Sequence, residues 1–208
     1  MPRAAGWLVA LCVLAPALAR PDVIDRVLAI VQDHLITLSD VRASMALGLV
    51  RPAEGADPLE SALERWIDRV LMLEEVERYA PREPAPGEVT AALDALMARA
   101  GGPEAFRATL VAYGFDESWV RQWIRADLRT QSYVEQRFAG TMMPTEEELE
   151  NYYRQHPSEF VRDGQPLTAA EAQQRARERV MEARRTAVLR DWIEGLRRRA
   201  EIVRPTPR

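Results

Sequence analysis

Residues Val23–Leu38 read VIDRVLAIVQDHLITL, and the pattern of this stretch decides how the chain is built. Two short β-branched runs, Val27–Val31 and Leu35–Thr37, flank the polar triplet Gln32-Asp33-His34. That arrangement predicts a β-hairpin with a three-residue connection. A lone hairpin is marginal in water, so it requires another strand or a helix against it. Glu201-Ile202-Val203, close to the other end of the sequence, is a candidate third strand. The expected fold is therefore mainly α: a helical module with a small β-hairpin near the N-terminus, completed by a C-terminal strand.

The intervening sequence punctuates itself into helices. Ser39 is expected to cap a helix that runs through Leu49. Asp57, followed by Pro58 and by Glu60 three residues after the cap, marks the start of a second helix. Leu59, Leu63, Trp66, Ile67, Val70 and Leu73 recur along it at spacings of three and four, the clearest amphipathic stripe in the chain. Pro81, Pro84 and Pro86 stop it, and a third helix spans Glu88–Ala100, ending at Gly101-Gly102. Pro103 opens a fourth, closed by Gly114, and Asp116 caps a fifth that carries Val120, Trp123, Ile124, Leu128 and Val134 on one face. Thr145 and Glu148 form a capping box for a short helix ended by His156-Pro157. Thr168 and Glu171 form another, opening a helix that runs to Arg199 with Ala176, Val180, Ala183, Ala187 and Leu196 on a narrow apolar side.

The N-terminal segment 1–19 reads as an export signal. Arg3 is its positive region, Trp7–Leu18 its apolar run, and Ala17-Leu18-Ala19 its small-residue cleavage site, with cleavage after Ala19. The run is shorter than the ~20 apolar residues of a membrane span. The single cysteine, Cys12, lies within it, and the bulky Leu11 before it argues against a lipid anchor. Disulfides and a cysteine nucleophile therefore play no part in the expectation for residues 20–208, which are enough for one domain.

All 28 basic side chains are Arg, against 32 acids, for a net charge of −4. Their distribution is uneven: from Glu171 onward 11 Arg face 6 acids, while from Arg20 to Ala170 16 Arg face 26. A basic tail raises the possibility of nucleic acid. Its Arg residues alternate with Glu at helical spacing, however, which favours a solvated helix that docks on an acidic body. No nucleic-acid partner is expected.

Catalytic and metal chemistry find few carriers. His34 and His156 are the two histidines, and neither sits in a zinc-binding spacing. No phosphate-binding glycine pattern occurs. No catalytic residue, metal ligand or cofactor is assigned. The candidate binding residues are apolar. Trp119 and Trp123 lie one helical turn apart and could line a groove; Met45 and Leu49 follow the hairpin; Met142 and Met143 are placed in a connector. Flexible thioethers suit promiscuous apolar binding, although packing in a core is the commoner role for each of these residues taken alone.

With these segments in order, the chain resembles the SurA-like periplasmic chaperones and related parvulin-type foldases. Five stretches carry the resemblance: VIDRVLAIVQDHLITLSDV (Val23–Val41), LERWIDRVLMLEEVERY (Leu63–Tyr79), FRATLVAYGFDESWVRQWIRADLRTQSYVEQRF (Phe106–Phe138), PTEEELENYYRQHPSEF (Pro144–Phe160) and DWIEGLRRRAEIVR (Asp191–Arg204). The resemblance implies a helical chaperone domain over 20–208, made of an N-terminal segment 20–160 and a long C-terminal helix and strand 168–204. It also implies a periplasmic protein that binds unfolded outer-membrane or secreted polypeptides without ATP. In this family a parvulin isomerase domain usually lies between the last two helices. Here only Val161–Leu167 separate them, and stable independent domains need roughly 40 residues or more. The expectation is a non-enzymatic holdase. The alternatives are residual prolyl isomerase activity, or an assembly factor dedicated to one exported partner. Dimerisation through the apolar edge of the long helix is left open.

Overall fold

The computed structural model describes residues 25–162 and 164–205. The export signal expected over 1–19 lies outside the described residues. None of the helices described is long and apolar enough to cross a membrane.

The hairpin forms, with a shorter turn than the sequence predicts. Strands β1 (Val27–Val31) and β2 (His34–Thr37) pair antiparallel around Gln32-Asp33, so His34 belongs to the strand and not to the connection. Gln32 takes a positive φ of 53°. A left-handed non-glycine at a tight turn is uncommon, and no Asn-Gly or Gly step marks it in the sequence. A bulge between Val27 and Ala29 offsets the ladder, which then runs Ala29 to Ile36 and Val31 to His34.

Thr37, not Ser39, caps helix α1 (Leu38–Ala46). Its hydroxyl accepts the Asp40 amide at 3.2 Å while the Asp40 carboxylate accepts the Thr37 amide at 3.0 Å. Ser39 instead donates its amide to Asp25 at 3.2 Å. The helix also stops three residues before Leu49, because Gly48 turns left-handed at φ 68° and the amides of Leu49 and Val50 fold back onto the Ser44 carbonyl at 2.8 and 3.1 Å.

Helix α2 (Pro58–Tyr79) begins at Asp57, whose side chain accepts the Glu60 amide at 2.8 Å. Its single predicted stripe understates its burial. Ala62, Leu63, Ile67, Val70, Leu71 and Val76 are all buried, and so are Arg69 and Glu75. The sheet, α1 and two long helices further along the chain, Glu117–Met142 and Ala169–Arg197, all pack on it. Helices α3 (Pro86–Arg99), α4 (Pro103–Tyr113) and α5 (Glu117–Met142) follow, the last capped by Asp116. Helix α5 extends to Met142, so Met142 ends a helix and Met143 is its cap, not a connector.

Helix α6 (Glu146–Gln155) and helix α7 (Ala169–Arg197) start with the capping boxes read from the sequence. The interval between them holds a short 3-10 turn at Pro157–Phe160 and a two-stranded hairpin, β3 (Val161–Arg162) with β4 (Gln165–Pro166). Strand β5 (Ile202–Val203) then returns to the first sheet, pairing Val31 with Ile202 and Ile30 with Val203, in the order β2-β1-β5.

Two apolar centres form the body. One joins the sheet, Val41, α2 and Leu196; the other joins Leu47 with α3, α4 and α5. A distal lobe has its own small core of Leu149, Phe160, Ala172, Ala176 and Val180. Helix α7 therefore spends its apolar side in two places, at Ala172–Val180 and again at Trp192 and Leu196. Ala183, expected on the buried side, falls between them and is exposed. The basic C-terminal part docks on acidic α2: Arg197 reaches Asp68 at 2.5 Å and Glu64 at 2.7 Å, and Arg204 pairs with Glu60 and Glu64.

Removing residues 200–208 takes away β5, the Gln32 amide bond to the Glu201 carbonyl (2.9 Å), the Ile202 packing and the Arg204 pairs. At about 1 kcal/mol per hydrogen bond plus about 1–2 kcal/mol for Ile202, the truncated chain loses about 3–5 kcal/mol. Thermal melting followed by circular dichroism should show a large drop in Tm or loss of cooperativity; an unchanged melt contradicts the closure described.

A second expectation concerns acid. Donation from the Thr145 amide, then the Arg184 side chain, holds the Glu148 carboxyl below its ordinary 4.5. The Thr168 hydroxyl, then its amide and Arg162, do the same for Glu171. Carboxyls depressed in the folded state stabilise it fully above their unfolded values, and that contribution disappears as pH falls through the folded values. Acidification from about pH 5 to about pH 3 should fray the first turns of α6 and α7. Amide exchange at Glu148 and Glu171 should accelerate; protection that persists to pH 3 counts against these caps.

Candidate functional site

Among the described residues no group of three or more His, Cys, Asp or Glu could hold a metal ion. His34 Nδ1 lies 3.3 Å from Glu74 on the surface, and His156 stacks on Tyr152 with its Nδ1 3.0 Å from the Tyr152 carbonyl oxygen. The apolar residues are the remaining candidates.

Four aromatics form a row along the junction of the two main centres. Phe115 stacks on Trp119 with ring centroids 4.4 Å apart, Trp119 lies 5.8 Å from Trp123, and Trp123 meets Trp66 edge-on at 4.7 Å. Trp66 is anchored by its indole N–H, which donates to the Ser44 hydroxyl at 2.8 Å. Trp123 is anchored by a buried cation. The Arg69 guanidinium lies 3.6 Å over its ring, donates to the Trp123 carbonyl at 2.8 Å and reaches Asp127 at 3.0 Å. Burial lowers the Arg69 pKa and the Asp127 charge opposes that shift, so the guanidinium is held by its partners rather than by water.

The six predicted binding residues do not converge. Trp123 and Leu49 do meet, at a cleft of about 220 Å³ between the turn after α1 and helices α3 and α5, with Arg99, Asp127 and Gln131 also on its lining. That volume is below the roughly 300–1,000 Å³ of small-molecule sites and suits a single side chain. Trp119 packs next to it against the second centre. Met45 packs instead on the first centre. Met142 joins a separate cluster with Val76, Tyr133 and Val134, and Met143 is 65% exposed. One-turn spacing placed Trp119 and Trp123 on a common face of α5; what covers that face is decided by α1, α2 and α3.

A larger surface was missed by sequence reasoning. Between α6 and α7 runs a groove of about 700 Å³ with Leu149, Leu167, Ala172 and Ala176 on its lining and Tyr153 on its lip. Its orientation depends on Arg184, which donates to the Thr141 and Met143 carbonyls at 3.0 and 2.6 Å and also binds Glu148. One side chain of α7 thereby fixes both the end of α5 and the start of α6. The available signal was Ala169, Ala172 and Ala176 at spacings of three and four opposite Leu149 and Tyr153.

No model of a known protein family matches this chain. A search of curated proteins likewise returns no match. Among solved structures, it matches a chain of the structurally related SurA-like chaperones of the human pathogen Campylobacter jejuni, the virulence factor PEB4 and the periplasmic protein Cj1289. The TM-score is 0.54 at 11% identity, covering 88% of this chain and 100% of the other. The likeness is one of fold: the chain has a SurA-like fold.

Trp123 packs on the first centre, beneath the Arg69 guanidinium and edge-on against Trp66, so Trp123→Ala should cost about 3–5 kcal/mol. Trp119→Ala, on the second centre and with no cation over its ring among the described residues, should cost visibly less. Denaturant titration of both variants checks the ranking, and equal costs contradict the structural role given to Trp123.

Proposed function

We propose that the chain is an ATP-independent holdase for unfolded outer-membrane or secreted polypeptides, acting in the periplasm after export. The observation that carries this reading is the chaperone fold it shares, at most of its length, with the Campylobacter jejuni proteins. Three features of the chain agree with it. Apolar side chains stand open on a rigid scaffold, including Val111 at 72%, Met143 at 65% and Tyr79 at 56% exposure. They are spread over several faces, which suits weak contact with many extended segments at about 25 cal/mol per Å² buried. Weak, distributed contacts also let a client leave as it folds.

The interval between Phe160 and Thr168 supports a non-enzymatic role. It is closed into the β3–β4 hairpin, with Val161 opposite Pro166 and Arg162 opposite Gln165, and offers no room at that position for an isomerase domain. A dedicated assembly factor is the second reading. The net charge of −4 would favour basic clients and keep a loaded complex soluble.

At several-fold molar excess, the folded protein should suppress aggregation of a denatured outer-membrane barrel diluted from urea, while a proline-peptide isomerisation assay stays at the buffer rate. Absence of suppression overturns the holdase reading, and turnover above buffer overturns the non-enzymatic one. Recovery of one stoichiometric partner from a periplasmic extract, in place of a spread of clients, moves the assignment to the assembly factor.

A further inference from the structure

The groove between α6 and α7 lies apart from the aromatic row and serves neither main apolar centre. Its walls are two helices running in opposite directions. At one end Glu148, near the start of α6, meets Arg184 of α7; at the other the carbonyl of Glu159, beyond the end of α6, accepts from Arg175, and Arg162 meets Glu171 at the start of α7. The α7 wall is low, built on Ala172 and Ala176, whereas the opposite wall is high, built on Leu149 and Tyr153. Tyr153 is 49% exposed although its ring lies 4.7 Å from Phe160, so it presents an open apolar edge above a covered floor. A trough with a low small-residue wall and a high apolar wall admits a third helix at close approach, the packing by which an amphipathic helix lays its apolar face between two others.

Charge then selects the occupant. Glu146 and Glu150 stand on the α6 rim of the groove, exposed, and neither enters an ion pair among the described residues. Glu148, on the other face, is already taken by Arg184. The cation of the same rim, Arg154, is turned onto the Asn151 side-chain oxygen at the far end. The lip facing an incoming helix is therefore negative along the first half of α6.

We propose that the α6–α7 groove docks a cationic amphipathic helix, with one apolar stripe on the floor and Arg or Lys side chains against Glu146 and Glu150. The groove follows α6 from Glu146 to Tyr153, about 12 Å at 1.5 Å per residue, so two to three turns of the partner are engaged. This surface recognises a formed helix, and it stands whether or not the rest of the molecule holds unfolded chains.

The test uses the full folded chain and three dye-labelled 18-residue peptides. The first carries one Leu stripe with Arg on its polar face, the second has the same composition with the stripe scrambled, and the third replaces Arg with Glu. Fluorescence anisotropy should give saturable binding of the first alone. Glu146→Gln with Glu150→Gln should weaken it about threefold to tenfold, with the loss shrinking at high salt. Gln173→Trp, an exposed substitution on the groove lining, should block it more strongly. Nuclear magnetic resonance shifts on adding the first peptide should centre on Leu149, Tyr153 and Ala172, which keeps the test independent of how the variants fold. Equal binding of the scrambled or the Glu peptide overturns the proposal, as does a shift footprint elsewhere. If the scrambled peptide binds equally and the protein still prevents barrel aggregation, the holdase reading stands while this one fails.

Discussion

The structure depends on a short stretch of backbone pairing: Ile202 and Val203 lie beside Val31 and Ile30, and the Gln32 amide reaches the Glu201 carbonyl. Only two residues are in the strand, yet they close a circuit of about 170 residues. Without β5, the β1 edge would lie open, and an unpaired edge is a template for association with other chains. The closure is reinforced from the side by charge. Arg197 and Arg204 grip Glu60, Glu64 and Asp68 on α2, so the same turns that deliver β5 to the sheet also fasten it to the helix beneath. Exposed ion pairs contribute little singly, but a shared set of carboxylates with two guanidinium groups fixes the approach angle of a strand too short to fix it alone.

From that closure the rest is organised around α2. The helix is covered by the sheet on one side and by α1, α5 and α7 on others, which is why charged Arg69 and Glu75 are buried on it. Arg69 is worth its burial because its hydrogen bonds and the Trp123 ring are all satisfied at once, linking α2 to α5 where the two apolar centres meet. The distal lobe has no such embedding. Its contact with the body runs through α7 itself and through the Arg184 fork onto the end of α5.

Local chemistry was legible and collective geometry was not. Asp57, Asp116, Thr145 and Thr168 were readable as caps because the groups that make a cap lie within four residues of one another. The return of Ile202 to the sheet was readable because a hairpin left alone demands a partner. The shift of the first cap from Ser39 to Thr37 was hidden because both residues can cap, and only Asp40 at the third position distinguishes them. The full enclosure of α2 was hidden because a stripe reports how apolar residues are spaced, while burial of Arg69 depends on a partner 58 residues away. The α6–α7 groove was hidden for the opposite reason: alanines on α7 read as ordinary helix formers, and only the neighbouring helix turns them into a low wall. Trp119 and Trp123 were correctly placed on one face, but their neighbours, not their spacing, divide that face between packing and a cleft.

The β3–β4 hairpin has a meaning for the architecture as a whole. Its register brings Arg162 and Gln165 opposite each other, so the chain leaves and re-enters the lobe at points about 5 Å apart. It sits at the tip of two helices, on the side of the lobe away from the sheet, and its strands bury neither Val161 nor Arg162. Such a tip is a graft point. Any polypeptide unit whose own ends lie close together could be spliced there, or excised, while the closing strand and the packing around α2 stay undisturbed. The fold thus keeps this hairpin apart from the closing strand and from the packing around α2, so its sequence is free of the demands that shape the rest of the chain.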